Sequence, residues 1–188
     1  FLGARMVAQF GAMAFAFYTV FAVRHHGVTE AEIGWMTGVF LGAQIVSNPV
    51  LGWLGDRWSH RVVMEIGATA AAISALIAWW APTPAWFYLV FGLAGIANVS
   101  LWTTNLAMVL QFGEEHERPA YIGLANTLVA PATFLAPIFA GWLVEGSGYQ
   151  AAFLASAGLG VATVAILQLF VRDPGTEQQV KSSPAPCD

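Results

Sequence analysis

The residues of this chain that could form a reversible charge network are concentrated in the segment Gly-Trp-Leu-Gly-Asp-Arg-Trp-Ser-His-Arg at 52–61. Asp56, Arg57 and Arg61 bring one carboxylate and two guanidinium groups together, and Glu65 lies one helical turn beyond Arg61. An exposed ion pair contributes only about 0–1 kcal/mol, but a pair that helix ends partly shield can favour one conformation over another. We interpret the segment as a charge network that changes with conformation. The alternative is a fixed topological anchor with no moving part.

The histidine, serine and cysteine residues do not form a recognisable catalytic or metal-binding set. The four histidines, His25, His26, His60 and His116, all fall in predicted loops, and no Gly-x-Ser-x-Gly segment occurs. Adjacent histidines lack the i, i+4 spacing that places two metal ligands on one helix face. The single cysteine, Cys187, can form neither an internal disulfide nor a metal cluster. We therefore expect no enzymatic activity, no metal and no cofactor.

The elements that position the charged segment follow from composition. Hydrophobic residues make up 57% of the 188 residues and charged residues 10%, whereas soluble domains have about 25% charged residues. Apolar stretches recur along the chain, each near the ~20 residues that a helix needs to cross a bilayer. The sequence predicts an all-α membrane protein with six transmembrane helices at about 1–23, 31–54, 61–80, 85–110, 120–144 and 151–171. Together they form one domain over 1–172, followed by a polar cytoplasmic tail at 173–188.

The distribution of positive charge predicts the orientation of these helices. With both termini on one side, that side carries Arg5, Arg57, Arg61, Arg118, Arg172 and Lys181, and the other carries only Arg24. Cytoplasmic loops retain Lys and Arg, so we expect both termini to be cytoplasmic and the protein to lie in a bacterial inner (plasma) membrane. The chain has no basic tract that would indicate nucleic acid as a partner.

An internal repeat is visible at an offset of 89 residues. Gly-Trp-Leu at 52–54, with Asp56 after it, recurs as Gly-Trp-Leu at 141–143, with Glu145 after it. Three helices per repeat is an odd number, so the second copy is inverted relative to the first. The predicted repeats are about 1–83 and 84–172. Three-plus-three inverted repeats are a recognised architecture of six-helix halves of secondary transporters.

The segment at 52–61 resembles the Gly-x-x-x-Asp-Arg-x-Gly-Arg-Arg/Lys loop of the major facilitator superfamily, which lies between two helices on the cytoplasmic side. Ser59 and His60 depart from the glycine and arginine that are usual there. In that family the loop latches one half of the transporter against the other and opens during transport. The resemblance, with Glu65 as a possible member of the charge network, assigns a latch role to Gly52, Asp56, Arg57, Arg61 and Glu65.

The resemblance extends over nearly all of residues 1–173 and implies half of a twelve-helix secondary active transporter. Such a permease or efflux protein moves a small solute by alternating access. The polar tail after the sixth helix favours the C-terminal half, and the apolar start at Phe1 without a methionine favours a truncated chain. The expected partners are the lipid bilayer, a small-molecule substrate, and the missing N-terminal half or a second six-helix unit. The alternative function is a non-transporting membrane scaffold or sensor.

Polar residues within the predicted spans are candidates for a substrate cavity. Asn98, Trp102 and Asn105 are spaced i, i+4 and i+7 and so share one helix face. The resemblance implies that the first, second, fourth and fifth helices line the cavity, which adds Gln9, Tyr18, Gln44, Asn48 and Asn126. The alternative for each amide is an interhelical hydrogen bond of about 0.6 kcal/mol. Every acidic residue maps to a loop, the tail or the end of a predicted span, and none lies at mid-membrane depth. A proton-coupling group is therefore not visible, and the coupling ion stays open.

Overall fold

The computed structural model describes residues 2–111 and 118–170, which form α-helices and, within these ranges, no strand. The helices are α1 (Leu2–Gly11), α2 (Phe15–His26), α3 (Glu30–Arg57), α4 (His60–Trp80), α5 (Trp86–Gln111), α6 (Arg118–Ser147) and α7 (Tyr149–Phe170). This architecture confirms the predicted all-α fold class. The predicted tail at 173–188 lies outside the described residues.

Five of the six predicted spans are long and apolar enough in the described chain to cross a membrane. They are Gly3–His26, His60–Trp80, Trp86–Thr104, Asn126–Ser147 and Tyr149–Leu169. The remaining span corresponds to α3, which has 28 residues and therefore sufficient length. Its middle carries Gln44, Ser47 and Asn48, which make it more polar than the other spans.

The first span is two helices, whereas the sequence predicted one continuous helix over 1–23. Between α1 and α2 the backbone makes short-range bonds, from Met13 N to Phe10 O at 3.1 Å and from Phe15 N to Ala12 O at 3.1 Å. The helical i to i−4 pattern is lost there, and the Gly11 carbonyl instead accepts a hydrogen bond from the Ser156 hydroxyl of α7. A side chain from a distant helix thus stabilises the break.

Glycine permits the close contact that accompanies this break. A Cβ atom on Gly11 would lie 3.2 Å from the backbone nitrogen of Gly160 in α7. A Cβ atom on Gly160 would lie 2.9 Å from the Cβ of Ala72 in α4. Small residues let membrane helices approach closely, so α7 packs tightly against both α1 and α4.

The spans alternate in direction, as short connections require. Ala4 near the start of α1 packs with Leu167 near the end of α7, whereas Phe21 in α2 contacts Phe153 near the start of α7 at 5.1 Å between ring centroids. The first and last spans therefore run antiparallel. Ala4 also packs with Met64 near the start of α4, so the first span and α4 run parallel.

The α3–α4 and α6–α7 connections are shorter than the sequence predicted, whereas the α4–α5 connection at 81–85 is one residue longer. Only Trp58 and Ser59 separate α3 from α4, and only Gly148, with φ of 84°, separates α6 from α7. The predicted loops at 55–60 and 145–150 are wrong in extent, because helix hydrogen bonding continues to the last residue before each turn. As a result Asp56 and Arg57 lie in the last turn of α3.

The most extensive helix–helix contacts form a set that stays the same when the two predicted repeats exchange places. In the first half of the pattern, α3 packs against α4 and α5, and α4 packs against α5. In the second, α6 packs against α7 and α1, and α7 packs against α1, while α4 and α7 contact each other. When the first, second and third spans are exchanged with the fourth, fifth and sixth, the pair of α4 and α7 is unchanged and each other pair of this set becomes another pair of the set. The smaller contacts of α5 with α6 and of α1 with α4 have no comparable counterpart.

Candidate functional site

A cavity of about 200 Å³ lies at the break in the first span. The break and the ends of the helices beside it contribute Gly11, Ala12, Met13 and Phe15 to its wall. The rest of the wall comes from other positions of α1 and α2 and from α4, α5 and α6. Alanine is the commonest residue of the lining, which leaves room for a small molecule between the helices. The polar members are Gln9, Tyr18, Ser74, Asn98 and Thr133.

The amides of Gln9 and Asn98 each keep hydrogen-bonding capacity toward the cavity. Gln9 Nε2 donates to Thr133 Oγ1 at 2.9 Å, which joins α1 to α6 and leaves the Gln9 Oε1 acceptor available. Asn98 Oδ1 accepts from Gln44 Nε2 at 3.3 Å, which leaves the two Asn98 Nδ2 donors available. The cavity wall therefore offers one fixed acceptor and one fixed donor group.

Tyr18 and Ser74 form the most deeply buried polar contact of the cavity wall. The Tyr18 and Ser74 hydroxyl oxygens lie 2.9 Å apart, and Tyr18 is 2% exposed. Ser74 also donates to the Ala71 carbonyl at 2.9 Å. These hydrogen bonds hold the tyrosine ring in place between α2 and α4, so it forms a rigid part of the wall.

Phe15 supplies an aromatic surface to the cavity. Its ring stacks on Phe40 of α3, with centroids 4.9 Å apart and planes at 22°. Phe91 and Tyr18 meet the same ring edge-on, at 6.4 Å and 6.3 Å. Phe15 is nevertheless 39% exposed and is one of the residues that line the cavity.

The structure brings three of the predicted cavity residues together, namely Gln9, Tyr18 and Asn98. Gln44 lies behind Asn98 as its hydrogen-bond partner. The others lie outside the cavity lining: Asn48 donates to the Gln44 carbonyl at 3.0 Å, Trp102 is 70% exposed, and Asn126 is exposed on α6. The side chain of Asn105 lies outside the described residues.

Sequence reasoning missed Phe15, Ser74 and Thr133 as members of the wall. Phe15 was not distinguishable from other apolar residues of the first span, because nothing in the sequence marks the helix break beside it. Ser74 lies in an alanine-rich stretch of α4, where single hydroxyl side chains usually bond to their own helix. Thr133 lies between Pro131 and Pro137, which was the one local signal that could have found it.

The predicted latch residues lie at the turn between α3 and α4. Arg61 Nε donates to Glu65 Oε1 at 3.0 Å, so these two residues form an ion pair one turn apart on α4. The Arg57 guanidinium lies over the Trp53 ring, 5.7 Å from its centroid. Asp56 is exposed and forms no ion pair with the described residues, so the expected pairing of Asp56 with Arg57 or Arg61 is not present in this structure.

The close approach at this turn involves Gly55 and not Gly52. A Cβ atom on Gly55 would lie 2.8 Å from Nδ1 of His60, whereas one on Gly52 would meet no atom of the described chain within 4 Å. Ser59 caps α4 by accepting a hydrogen bond from Arg61 N at 3.0 Å. Ser59 and His60, which depart from the family pattern, thus help to form the tight turn, while Gly52 lies on an open surface.

The opposite end of the bundle contains an aromatic and histidine cluster. His25 stacks on Phe21 at 4.4 Å between centroids, and Tyr149 lies 5.5 Å from both rings. Arg24 Nη1 donates to the Tyr149 hydroxyl at 3.3 Å, which ties α2 to α7. No group of three or more His, Cys, Asp or Glu side chains within the described ranges could hold a metal ion.

Comparison with known proteins places the chain among membrane transporters. A family model described as Major Facilitator Superfamily matches residues 1–186. The tetracenomycin C resistance and export protein of Streptomyces glaucescens is 25% identical over 152 residues, which cover 81% of this chain and 28% of that protein. The vesicular acetylcholine transporter of Mus musculus is 30% identical over 146 residues, which cover 77% of this chain and 27% of that protein. The chain therefore spans less than a third of the length of these relatives.

Proposed function

The chain belongs to the Major Facilitator Superfamily. We therefore propose that it forms one six-helix half of a secondary transporter, which moves a small molecule across the membrane by alternating access. The main support for this proposal is the cavity at the break in the first span. A discontinuous helix, amide side chains and an exposed aromatic ring meet there. Discontinuous helices at the midplane are a common way for transporters to build substrate sites. The relatives named for export and vesicular transport support the same function.

The cavity needs a second six-helix unit to close it, because this chain supplies only one side of its wall. The chain spans less than a third of the relatives that it matches, and several large apolar side chains of α3 and α6 are exposed. These include Ile45, Val46, Phe134 and Trp142. We propose that another six-helix unit, either a missing N-terminal half or a second copy, closes the cavity. The pattern of helix contacts supports two inverted repeats at about 1–83 and 84–172 within this half.

The orientation that we propose places the α3–α4 turn in the cytoplasm. Arg57 and Arg61 at this turn agree with the retention of positive charge on that side. A bacterial inner membrane is the proposed location, and the tail at 173–188 would then be cytoplasmic. The function that we propose for the cavity is binding and passage of a solute, without chemical change of that solute.

We propose that Asp56 is the residue through which the latch contacts the opposing half of the transporter. Its carboxylate is exposed at the end of α3 and forms no ion pair with the described residues, so it is available to a basic group of the opposing half. Arg61 already pairs with Glu65 and Arg57 lies against Trp53, which leaves both guanidinium groups fixed on this side. A contact made by Asp56 in only one of two conformations would shift the equilibrium between them.

The test of this proposal is transport by the full-length protein in proteoliposomes, with tetracenomycin C and acetylcholine as the first solutes because the relatives are named for them. Asp56→Asn should slow uptake about fivefold, which corresponds to a bias of about 1 kcal/mol between the two conformations. Glu30→Gln is the matched control, since Glu30 is an exposed carboxylate at the opposite end of α3.

Two outcomes would contradict parts of the proposal. Equal uptake by wild type and Asp56→Asn, at equal amounts of protein in the membrane, rules out the latch. Saturable binding of a solute without any uptake favours the alternative of a scaffold or sensor over a transporter.

A further inference from the structure

The cavity wall carries information about the class of molecule that it binds. Among the described residues that line it, none is charged, and their polar side chains are amides and hydroxyls. Burying an ion without a partner costs several kcal/mol in proteins, whereas a neutral polar group needs only a hydrogen bond. The wall is therefore suited to an uncharged ligand.

The aromatic part of the wall adds a preference for a flat ring. Phe15 uses one face for its stack on Phe40, it lines the cavity, and the residue as a whole is 39% exposed. A planar conjugated ring can continue this stack in an offset geometry. Phe15 could also attract a cation, but the attraction of phenylalanine for a cation is weak and does not offset the loss of hydration in an uncharged cavity.

The fixed amides specify polar groups on the ligand. Gln9 Nε2 is held by Thr133, so Gln9 Oε1 presents an acceptor to a ligand donor. Asn98 Oδ1 is held by Gln44, so Asn98 Nδ2 presents donors to a ligand carbonyl or ether oxygen. Both amides are positioned before the ligand arrives, which reduces the entropy cost of binding.

We propose that this cavity binds a neutral, planar, conjugated molecule whose ring stacks on Phe15 and whose polar groups bond to Gln9 and Asn98. This inference rests on the proposed function and narrows it to a substrate class. It distinguishes the chain from a carrier of acetylcholine, for which one of its relatives is named, because acetylcholine is a cation without a conjugated ring.

The test uses Nile red and Nile blue, two dyes that share one planar ring system and differ in charge. Their binding to the full-length protein in lipid nanodiscs is measured by equilibrium dialysis, with protein-free nanodiscs as the blank. Neutral Nile red should bind at least about tenfold more tightly than cationic Nile blue, because only the cation loses hydration without a counter-charge. Equal or tighter binding of Nile blue, or no saturable binding of Nile red, overturns the proposal.

Variants of the wall test where the dye binds. Gln9→Met and Asn98→Leu should each weaken Nile red binding about three- to tenfold, since each removes one hydrogen bond. Gln150→Met is the matched control, because Gln150 is exposed at the start of α7 and away from the cavity lining. Nile red binding that is unchanged in both cavity variants overturns the assignment of the site.

Stacking is tested separately with Phe15→Leu, which should weaken Nile red binding about threefold or more. Phe134→Leu on α6 is the control, since Phe134 is 71% exposed and does not line the cavity. An unchanged affinity in Phe15→Leu overturns the ring-stacking part of the proposal.

The same dyes separate this inference from the proposed function. Uptake of Nile blue in preference to Nile red by proteoliposomes would leave transport intact and overturn the ligand class. Saturable Nile red binding with the expected variant effects, but without uptake of either dye, would support the ligand class and contradict transport.

Discussion

At the scale of single residues, Ser156 stabilises the break in the first span, because its hydroxyl donates a hydrogen bond to the Gly11 carbonyl. Ser156 is fully buried, and so is the backbone that it contacts. A buried carbonyl without a partner costs free energy. The hydrogen bond therefore allows the first span to break beside the cavity while its backbone remains satisfied.

We expect Ser156→Ala to lower the free energy of unfolding by about 1–3 kcal/mol, because it leaves the Gly11 carbonyl without a donor. The measurement is the midpoint of thermal unfolding of the purified full-length protein in detergent. Ser147→Ala, at the exposed end of α6, should unfold like wild type. Equal midpoints for Ser156→Ala and Ser147→Ala would show that the hydrogen bond does not stabilise the break.

The residues of the site could be predicted from sequence only where polarity made them conspicuous. Gln9, Tyr18 and Asn98 stand out because polar side chains are rare within apolar spans, and the structure places all three at one cavity. Phe15 could not be found in this way, since its importance depends on the position of a helix break. The partner of Arg61 was open to several choices, and helical spacing selected Glu65 over Asp56.

At the scale of helices, α7 depends on glycine at the position where it passes between two neighbours. A Cβ atom on Gly160 would lie 2.9 Å from the Cβ of Ala72 and 3.1 Å from the Ala68 carbonyl oxygen, both in α4. Gly158, two residues earlier on the same helix, is exposed and would meet no atom of the described chain within 4 Å. The two glycines therefore differ in packing although they share a helix.

We expect Gly160→Ala to destabilise the protein by about 1–3 kcal/mol through overpacking against α4. Gly158→Ala should be neutral or slightly stabilising, because alanine favours a helix more than glycine does. Thermal unfolding of both variants in the same detergent measures the difference. If Gly160→Ala is as stable as Gly158→Ala, the approach of α7 to α4 is looser than the structure indicates.

Helices were predictable as elements because their apolar length is set by the bilayer, but their ends and internal breaks were not. The predicted first span at 1–23 missed the interruption after Gly11, which no proline marks. Pro49, Pro131 and Pro137, by contrast, lie inside helices that the structure describes as unbroken. The break in the first span depends on Gly160 and Ser156 of α7, which are far away in sequence.

At the scale of the whole molecule, the alternating spans define two opposite ends, and the α3–α4 turn and the connection between α4 and α5 lie at different ends. Trp58 in the first connection is 69% exposed, and Thr83 in the second is exposed. Any proposed orientation therefore assigns these two residues to opposite sides of the membrane.

We expect a membrane-impermeant thiol reagent to label Thr83→Cys in intact cells and to leave Trp58→Cys unlabelled until the membrane is permeabilised. The background is Cys187→Ser, which removes the single cysteine of the chain. This result follows from the orientation proposed above, in which Arg57 and Arg61 next to Trp58 lie on the cytoplasmic side. Labelling of Trp58→Cys alone in intact cells would reverse the orientation.

The contact between the first span and α7 also has a consequence for biosynthesis. Gly11 and Ser156 are separated by 145 residues, which a ribosome adds in a time on the order of 10 s at 5–20 residues per second. During that interval α1 is in the bilayer without the helix that satisfies the Gly11 carbonyl. Of the spans that the structure describes, the first is thus among the last to reach its native packing, and a membrane chaperone would find its exposed backbone at that stage.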